Sequence, residues 1–352
     1  MTPVVYNVHN MSRKRVEIGS EFWLEQPVPQ PVADRDGVYT ISGRTAIDVI
    51  LQDMLRIRTV KSVEMPAWCC DSMIAPFVSR GIDIRFYDGF MVHGSRFMVN
   101  DGSFESCDIF YMTNYFGYEN ILPIETVRMF KEKGAVVLYD RTHSFLMDDD
   151  PYLAYADYSF ASIRKWLGVI GGAVVEGVKN VALKPCPYRV PKETAMQMKQ
   201  AYMSGDDTVD KQEFLKFYGE FGHHLAEDYC DYAMDDLSYA IYKATDFEEM
   251  KAQRRANAQY LHEHLNLQFL SPLTPNACPL FVPVLFHNKE ERDRVRKRLI
   301  EAEIYCPIHW PKPAQITASF EANKIYDTEL SLICDQRYTA DNMARMVAVI
   351  NN

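Results

Sequence analysis

The sequence predicts an α/β fold whose main sheet is largely parallel. Short apolar segments alternate with amphipathic ones between residues 42 and 177, which indicates strands and helices in turn. One segment, AVVLYD at 135–140, is almost wholly apolar, as strands buried on both faces are. A second alternating series begins at residue 246 and predicts a smaller α/β unit.

The elements of the first series follow from local patterns. SGRTAIDVILQDMLRI carries apolar residues at helical spacing, including Ile47, Ile50 and Met54, and predicts a helix over 42–57. Pro123 and Gly134 frame a second helix, because proline suits a helix start and glycine a helix end. A third helix is predicted at 70–81, and strands are predicted at 61–68, 82–88, 107–117, 135–140, 157–163 and 171–177.

The remainder of the chain divides into an irregular and a regular part. Residues 179–240 are polar and helical in character, without a clear order of elements. The regular part contains helices at 246–265, 289–302 and 339–350, with strands at 280–286 and 304–311. We therefore predict an N-terminal arm at 1–38, a large domain at 39–240 and a small C-terminal domain at 241–352.

Composition and charge exclude several classes of protein. The net charge of −10 disfavours nucleic acid and anionic membranes as partners. No apolar run reaches the length of a transmembrane helix. The eight cysteines form no C-x-x-C pair and no Cys/His cluster with metal spacing, and no export signal precedes them. We therefore expect reduced thiols, a cytoplasmic protein and no metal site.

The candidate site residues follow the predicted strands. Ligands of open parallel sheets bind beyond the carboxyl ends of the strands. The side chains at these positions are Trp68, Asn114, Asp140, His143, Ser162 and Lys165, together with Gly43, Arg44, Thr45 and Ala46 at a helix start.

These residue types suit the parts of one ligand. A helix start at Thr45 offers free N–H groups to a phosphate, and Ser162 can donate to the same phosphate. Trp68 can stack on a flat ring, while a buried carboxylate at Asp140 needs a positive partner such as a ring nitrogen. Lys165 can form a Schiff base with an aldehyde. Phosphate, flat ring, ring nitrogen and aldehyde together describe pyridoxal 5′-phosphate (PLP).

The same residues lie in segments that resemble a known family. VVLYDRTHSF, followed by ADYSFASIRKWLGVIGGAVV, resembles the core of fold-type-I PLP enzymes and is most similar to the DegT-type sugar aminotransferases. SGRTAI resembles the phosphate turn of that family, and TNYFGYENILPIETV resembles its loop before a helix. LSLICDQRYTADNMARMVAVI is similar to its terminal segment. The resemblance covers most of residues 40–175 and the C-terminal end.

The resemblance implies a role for each residue around the cofactor ring. Lys165 would hold PLP as an internal aldimine, and Asp140 would pair with the pyridinium nitrogen. His143 would contact the ring or its phenolic oxygen, Trp68 would stack on the ring, and Asn114 would approach the phenolic oxygen.

The phosphate ligands implied by the resemblance leave one alternative open. Arg44, Thr45 and Ala46 occupy the phosphate turn, with Arg44 at a position where the family more often has a small residue. Ser162 precedes the lysine by three positions, whereas the family serine usually lies further upstream, which points to Ser159. Either serine therefore remains a candidate, and the role of Arg164 is open.

The resemblance also implies the activity and the assembly. It implies a PLP-dependent aminotransferase that moves an amino group from a small-molecule donor to a keto sugar or another carbonyl compound, in a homodimer with sites at the interface. The alternative is a PLP-fold protein of another reaction type, such as a lyase or decarboxylase, or a non-catalytic PLP-binding sensor. Candidate substrate contacts are Tyr305, His309, Trp310 and Arg337, with Phe22 and Trp23 in the arm.

Overall fold

A computed structural model of the chain describes residues 15–24, 36–88, 106–119, 122–179, 181–317 and 322–352. Of the predicted arm at 1–38, it describes 15–24 and 36–38, and the rest lies outside the described residues. The strands within these ranges are β1 (Ile18–Gly19), β2 (Val38–Thr40), β3 (Ser62–Pro66), β4 (Asp83–Tyr87), β5 (Ile109–Thr113), β6 (Val136–Asp140), β7 (Tyr158–Ala161), β8 (Ala173–Glu176), β9 (Gln268–Phe269), β10 (Val282–Leu285), β11 (Ile304–Tyr305) and β12 (Glu329–Leu332).

Helices separate most of these strands. In chain order they are α1 (Gly43–Ile57), α2 (Asp71–Val78), α3 (Ile124–Glu132), α4 (Arg189–Met203), α5 (Lys211–Glu227), α6 (Asp236–Ala244), α7 (Phe247–His264), α8 (Lys289–Glu301), α9 (Ala322–Thr328) and α10 (Ala340–Asn351).

Seven strands form the main sheet in the order β2-β8-β7-β6-β5-β3-β4. The four pairs from β7 to β4 are all parallel, whereas β8 runs antiparallel to both of its neighbours. The register sets Thr113 opposite Asp140, and Asp140 opposite Phe160, at the carboxyl ends of three adjacent strands. The predicted α/β class with a mainly parallel sheet is therefore confirmed.

Both faces of the sheet are buried, because side chains of the central strands point alternately into two core clusters. In β5, Ile109 and Tyr111 belong to a core cluster that includes apolar residues of α1 and α2. Phe110 and Met112 belong to a second cluster that includes residues of α3. This division follows from the two-residue repeat of a strand, and it explains why β5 reads as an uninterrupted apolar segment.

A second sheet lies in the C-terminal part of the chain. Its three antiparallel strands have the order β12-β10-β9. Apolar residues of α7, α8 and α10 form one core cluster with these strands. The strand predicted at 304–311 is shorter than expected, since only Ile304–Tyr305 pairs, with β1. Pro307 and Pro311 explain the early end, because proline cannot donate to a strand ladder.

The irregular segment at 179–240 contains two long helices and the start of a third. α4 and α5 pack along each other, and their apolar residues form a core cluster with Trp166 and Leu167 after the Lys165 turn. Residues 15–24 lie against these helices and against the C-terminal part.

Two global properties complete the description. No helix among the described residues has both the length and the apolar character needed to span a bilayer. All eight cysteines fall within the described ranges, and each is a free thiol.

Candidate active site

A cavity opens where the carboxyl ends of the parallel strands meet. Its walls come from the first turn of α1, the loop after β3, the turns after β6 and β7, and one face of α5. The residues predicted from the sequence that line it are Gly43, Arg44, Asp140, His143, Ser162, Lys165 and Trp310. Parallel strands that end at one edge thus bring distant parts of the chain into a single pocket.

Lys165 lies in a short 3-10 turn, Ile163–Lys165, directly after β7. Its Nζ lies 3.3 Å from Nε2 of His143. Burial lowers the pKa of Lys165, while Cys70 and Asp140 oppose this shift. A lowered pKa increases the fraction of neutral amine near neutral pH, and the neutral amine is the form that attacks a carbonyl carbon.

Asp140 ends β6, and its carboxylate is buried. It accepts hydrogen bonds from Oη of Tyr111 at 2.7 Å and from the backbone N–H of Thr142 at 2.8 Å. Burial raises the pKa of Asp140, and the hydrogen bonds from Thr142 and Tyr111 reduce that shift. A cation placed beside this carboxylate in the cavity would stabilise its ionised form.

His143 contributes a buried imidazole to the same pocket. Its ring stacks on the indole of Trp310, with ring centroids 5.5 Å apart and an angle of 30° between the planes. Burial lowers the pKa of His143 well below its usual value, and the charge on Lys165 adds to the effect. The imidazole is therefore neutral near neutral pH, and its Nε2 can share a hydrogen bond with the lysine.

The first turn of α1 forms another part of the cavity wall. Ser42 caps this 15-residue helix, and its Oγ accepts from the backbone N–H of Thr45 at 3.2 Å. A Cβ on Gly43 would lie 3.4 Å from Cβ of Ser162, so the helix start packs closely against the Ser162 turn. Among the described residues, the buried Oγ of Ser162 has no hydrogen-bond partner.

Arg44 adds a positive charge beside this helix start. Its Nη1 donates to the carbonyl of Leu225 in α5 at 2.6 Å. Its buried Nε has no hydrogen-bond partner within the part of the chain that the structure describes. Helix N–H groups, the Ser162 hydroxyl and a guanidinium together form a site suited to an anion such as phosphate.

Three residues predicted at the phosphate end lie outside the cavity wall. Thr45 and Ala46 are buried within α1, where the Oγ1 of Thr45 is 2.9 Å from Oγ of the capping Ser42. Ser159 pairs across the sheet with Glu176, and its hydroxyl donates to that carboxylate. Of the two candidate serines, the structure thus brings Ser162 to the cavity and holds Ser159 within the sheet.

Two residues predicted to contact the ring are also held elsewhere. Trp68 is buried against Tyr115, with ring centroids 4.6 Å apart, and its Nε1 donates to the carbonyl of His309 at 2.8 Å. Asn114 donates from Nδ2 to Sδ of Met147 at 3.3 Å. From the Trp68 loop it is Cys70 that reaches the cavity, two residues further along the chain.

The candidate substrate residues separate into one that lines the cavity and others that do not. Trp310 lines it, whereas the neighbouring His309 is buried with its Nδ1 2.8 Å from Oγ of Ser331. Oη of Tyr305 accepts from Nζ of Lys211 at 2.9 Å, away from the cavity.

Arg337 is engaged within its own chain. It donates to both carboxylate oxygens of Asp335, at 2.9 Å each. Its guanidinium also lies over the ring of Phe22, 3.9 Å from the centroid, and 5.0 Å from that of Trp23. These contacts bind the N-terminal segment to the C-terminal part. They also use the guanidinium N–H groups that a substrate carboxylate would need.

Several cavity residues are absent from the set predicted from the sequence. Thr142 lies between Asp140 and His143 in the same turn, and its position could have been inferred from theirs. The wall formed by Phe221, Gly222 and Leu225 could not, because it depends on how α5 packs across the strand ends.

Comparisons with known proteins give a clear result for the fold. No protein-family model and no curated protein sequence matches the chain. NtdA from Bacillus subtilis, solved with bound cofactor PMP, is similar in structure with a TM-score of 0.61 and 15% identity, over 90% of this chain and 73% of that one. DesI, solved in the presence of its TDP-sugar product, gives a TM-score of 0.61 and 13% identity, over 90% of this chain and 80% of that one. The putative sugar aminotransferase Spr1654 from Streptococcus pneumoniae gives a TM-score of 0.62 and 14% identity, over 89% of this chain and 84% of that one. The predicted fold type I architecture is thus confirmed.

Proposed function

We propose that this chain is a PLP-dependent aminotransferase. One observation carries the proposal: Lys165 and Asp140 line the same cavity as the start of α1 and a Ser162 hydroxyl that has no hydrogen-bond partner among the described residues. The structural neighbours agree with it, since they include sugar aminotransferases and a protein solved with bound PMP.

The residues present fit PLP at each of its polar groups. The phosphate would be held by Ser162, Arg44 and the N–H groups at the start of α1, which would satisfy the buried Oγ and Nε. Asp140 would face the ring nitrogen, whose positive charge the buried carboxylate requires. Lys165 would bond to the aldehyde carbon. The bound cofactor supplies an electron sink for the carbon that loses its proton.

The protein residues then position and move one proton. In its neutral form, Nζ of Lys165 can accept the proton from the α-carbon of an amino donor. It can then return this proton to the carbon on the other side of the donor nitrogen. The neutral His143, 3.3 Å from this Nζ, orients the amine and adds no competing charge. Asp140, held by Tyr111 and the Thr142 N–H, stays ionised once it faces a cation.

The substrates and the assembly are part of the same proposal. The amino donor and the carbonyl acceptor are small molecules, and the acceptor is a keto sugar or another carbonyl compound. DesI, solved in the presence of its TDP-sugar product, and the putative sugar aminotransferase Spr1654 support the sugar class. We also propose a homodimer whose chains have a large domain at 39–240 and a small one at 241–352. We propose a cytoplasmic location, which the eight free thiols support.

Absorbance spectra test the proposed function directly. Purified protein with added PLP should develop the visible absorbance of lysine-bound PLP, and L-glutamate should convert it to the spectrum of pyridoxamine phosphate. Absence of the first change would contradict PLP binding. Binding without conversion by a panel of amino donors would favour a lyase, a decarboxylase or a non-catalytic sensor. Light scattering tests the homodimer, and a stable monomer that binds PLP would contradict it.

A further inference from the structure

We propose that Arg164 binds the α-carboxylate of the amino donor. This inference rests on the proposed function and deepens it, because it assigns substrate recognition to a residue beside the reacting lysine.

The position of Arg164 is fixed by its backbone, while its side chain extends into the cavity. It belongs to the 3-10 turn that carries Lys165, and its backbone N–H donates to the carbonyl of Gly172 at 3.3 Å. The side chain is exposed and lines the same cavity as Lys165 and Asp140. A rigid turn therefore presents a guanidinium and an amine, from adjacent residues, to one space.

Arg337 and Arg44, the other arginines predicted at the site, both donate to oxygens of the chain. Arg337 binds both oxygens of Asp335, and Arg44 donates to the carbonyl of Leu225. The guanidinium of Arg164, by contrast, makes no hydrogen bond or ion pair in the described part of the chain. It is therefore open to a ligand.

The carboxylate that interacts with Arg164 is shared with other cations. Glu21 is close enough to interact with Arg164, but Nζ of Lys192 lies 3.0 Å from Oε2 of Glu21 and holds the pKa of that carboxyl at about 2. Inside the cavity, Asp140 would be matched by the cofactor ring nitrogen. An incoming anion would thus meet a guanidinium that forms no ion pair within the described residues and shares the charge of Glu21 with Lys192.

Geometry selects the α-carboxylate among possible anions. In an amino acid, the α-carboxylate is attached to the carbon that carries the reacting amine. That amine must reach the position of Lys165, so its carboxylate must lie close to the same turn. A guanidinium binds a carboxylate through two parallel hydrogen bonds, which also fix the orientation of the α-carbon.

A matched pair of amines tests this assignment. L-glutamate and 4-aminobutyrate differ only in the α-carboxylate, and their reactions with the PLP-loaded protein are followed by the loss of visible absorbance. Arg164→Gln should lower kcat/KM for L-glutamate by about 10- to 100-fold, the range for a lost charge-assisted contact, and leave 4-aminobutyrate unchanged. Arg164→Lys should recover part of the loss. Arg189→Gln, in an exposed arginine paired with Glu193, is the matched control and should change neither rate.

A non-reactive dicarboxylate gives a second readout that does not depend on turnover. Calorimetry with maleate should show binding to the wild type, and a Kd raised at least about 10-fold in Arg164→Gln. Unchanged maleate affinity together with an unchanged ratio of the two amines would overturn the inference. A weaker Kd for PLP in Arg164→Gln, with maleate binding unaffected, would also overturn it and assign Arg164 to the phosphate. Failure of the proposed function has a different signature, since wild-type protein would then develop no visible band with PLP.

Discussion

Two regions of this molecule contain lysines whose pKa is lowered by burial, and they differ in what surrounds those lysines. In the active-site cavity, burial lowers the pKa of Lys165, and the amine faces an open space. In the arm cluster, formed by Glu17, Glu21, Lys192, Lys199, Lys211 and Arg337, burial lowers the pKa of Lys199 to about 7. Lys199 is only 1% exposed, and its Nζ donates to the backbone carbonyl of Glu21.

The two regions differ in exposure, since Lys165 is partly exposed and Lys199 is buried, and also in the partners of their polar groups. The cations of the arm cluster bind oxygens of the chain: Lys192 pairs with Glu21, and Lys211 lies 2.5 Å from Glu17. The cavity instead contains the unpartnered Oγ of Ser162 and Nε of Arg44, within the described residues. A lowered lysine pKa therefore does not by itself mark chemistry, whereas unsatisfied polar groups around an open space do.

The largest expected effect separates the two lysines. Lys165→Ala should reduce amino transfer by at least about 10³-fold, because it removes both the covalent anchor and the proton acceptor. Lys199→Met should leave the rate within about twofold, since Nζ of Lys199 donates to the backbone carbonyl of Glu21 and Lys199 does not line the cavity. Single-turnover absorbance with L-glutamate measures both. A large loss of rate in a folded Lys199→Met protein would contradict the claim that only Lys165 takes part in amino transfer.

The next effect concerns the carboxylate at the end of β6. Asp140→Asn should lower the rate by roughly 10²-fold, because an amide cannot stabilise a protonated ring nitrogen as a carboxylate does. PLP should still attach to Lys165, so the visible band should persist with altered pH dependence. Glu176→Gln, at an exposed carboxylate outside the cavity wall, is the control and should keep the rate. Full activity of Asp140→Asn would contradict the role given to Asp140.

A smaller effect should separate the two serines. Ser162→Ala should raise the Kd of PLP about tenfold, because it removes a hydrogen bond to a charged phosphate. Ser159→Ala should leave that Kd unchanged, since its hydroxyl is bound to Glu176. Equilibrium dialysis of PLP against both variants provides the measurement. Weaker PLP binding by Ser159→Ala than by Ser162→Ala would contradict the assignment of Ser162 to the phosphate.

The smallest effect is a pH dependence of stability at Lys199. Its pKa is about 7 in the folded protein against 10.5 as the ordinary value, so between these values the unfolded chain binds a proton that the folded chain does not. Stability from this residue should therefore rise with pH from about 7 to 10.5, by at most about 1.4 kcal/mol per pH unit. Lys199→Met should lack this rise. Urea unfolding of both proteins at pH 8 and pH 9 measures the difference, and parallel curves would contradict the assigned pKa.

Much of this arrangement could be predicted because it follows from strand order. The apolar segments ending at Asp140 and Ala161 are read directly from the sequence, and in a parallel sheet their carboxyl ends must share one edge. The placement of Asp140, His143, Ser162 and Lys165 around one cavity follows from that rule.

What could not be predicted depends on register and on long-range packing. Trp68 and Cys70 are two residues apart in a loop, and only the fold decides that Cys70 faces the cavity. The indole that reaches His143 is Trp310, which is brought there by the C-terminal part of the chain. The α5 wall likewise arises from helix packing, which leaves no periodic mark in the polar segment 179–240.

Identification of the lysine that reacts with PLP tests the central claim most directly. Reduction of the PLP-treated protein with borohydride fixes the cofactor to its amine, and peptide mass spectrometry then locates it. The account predicts one modified peptide, which contains Lys165, and no modification at Lys199 or Lys192. Modification at another lysine, or no modification in a protein that shows the visible band, would contradict it.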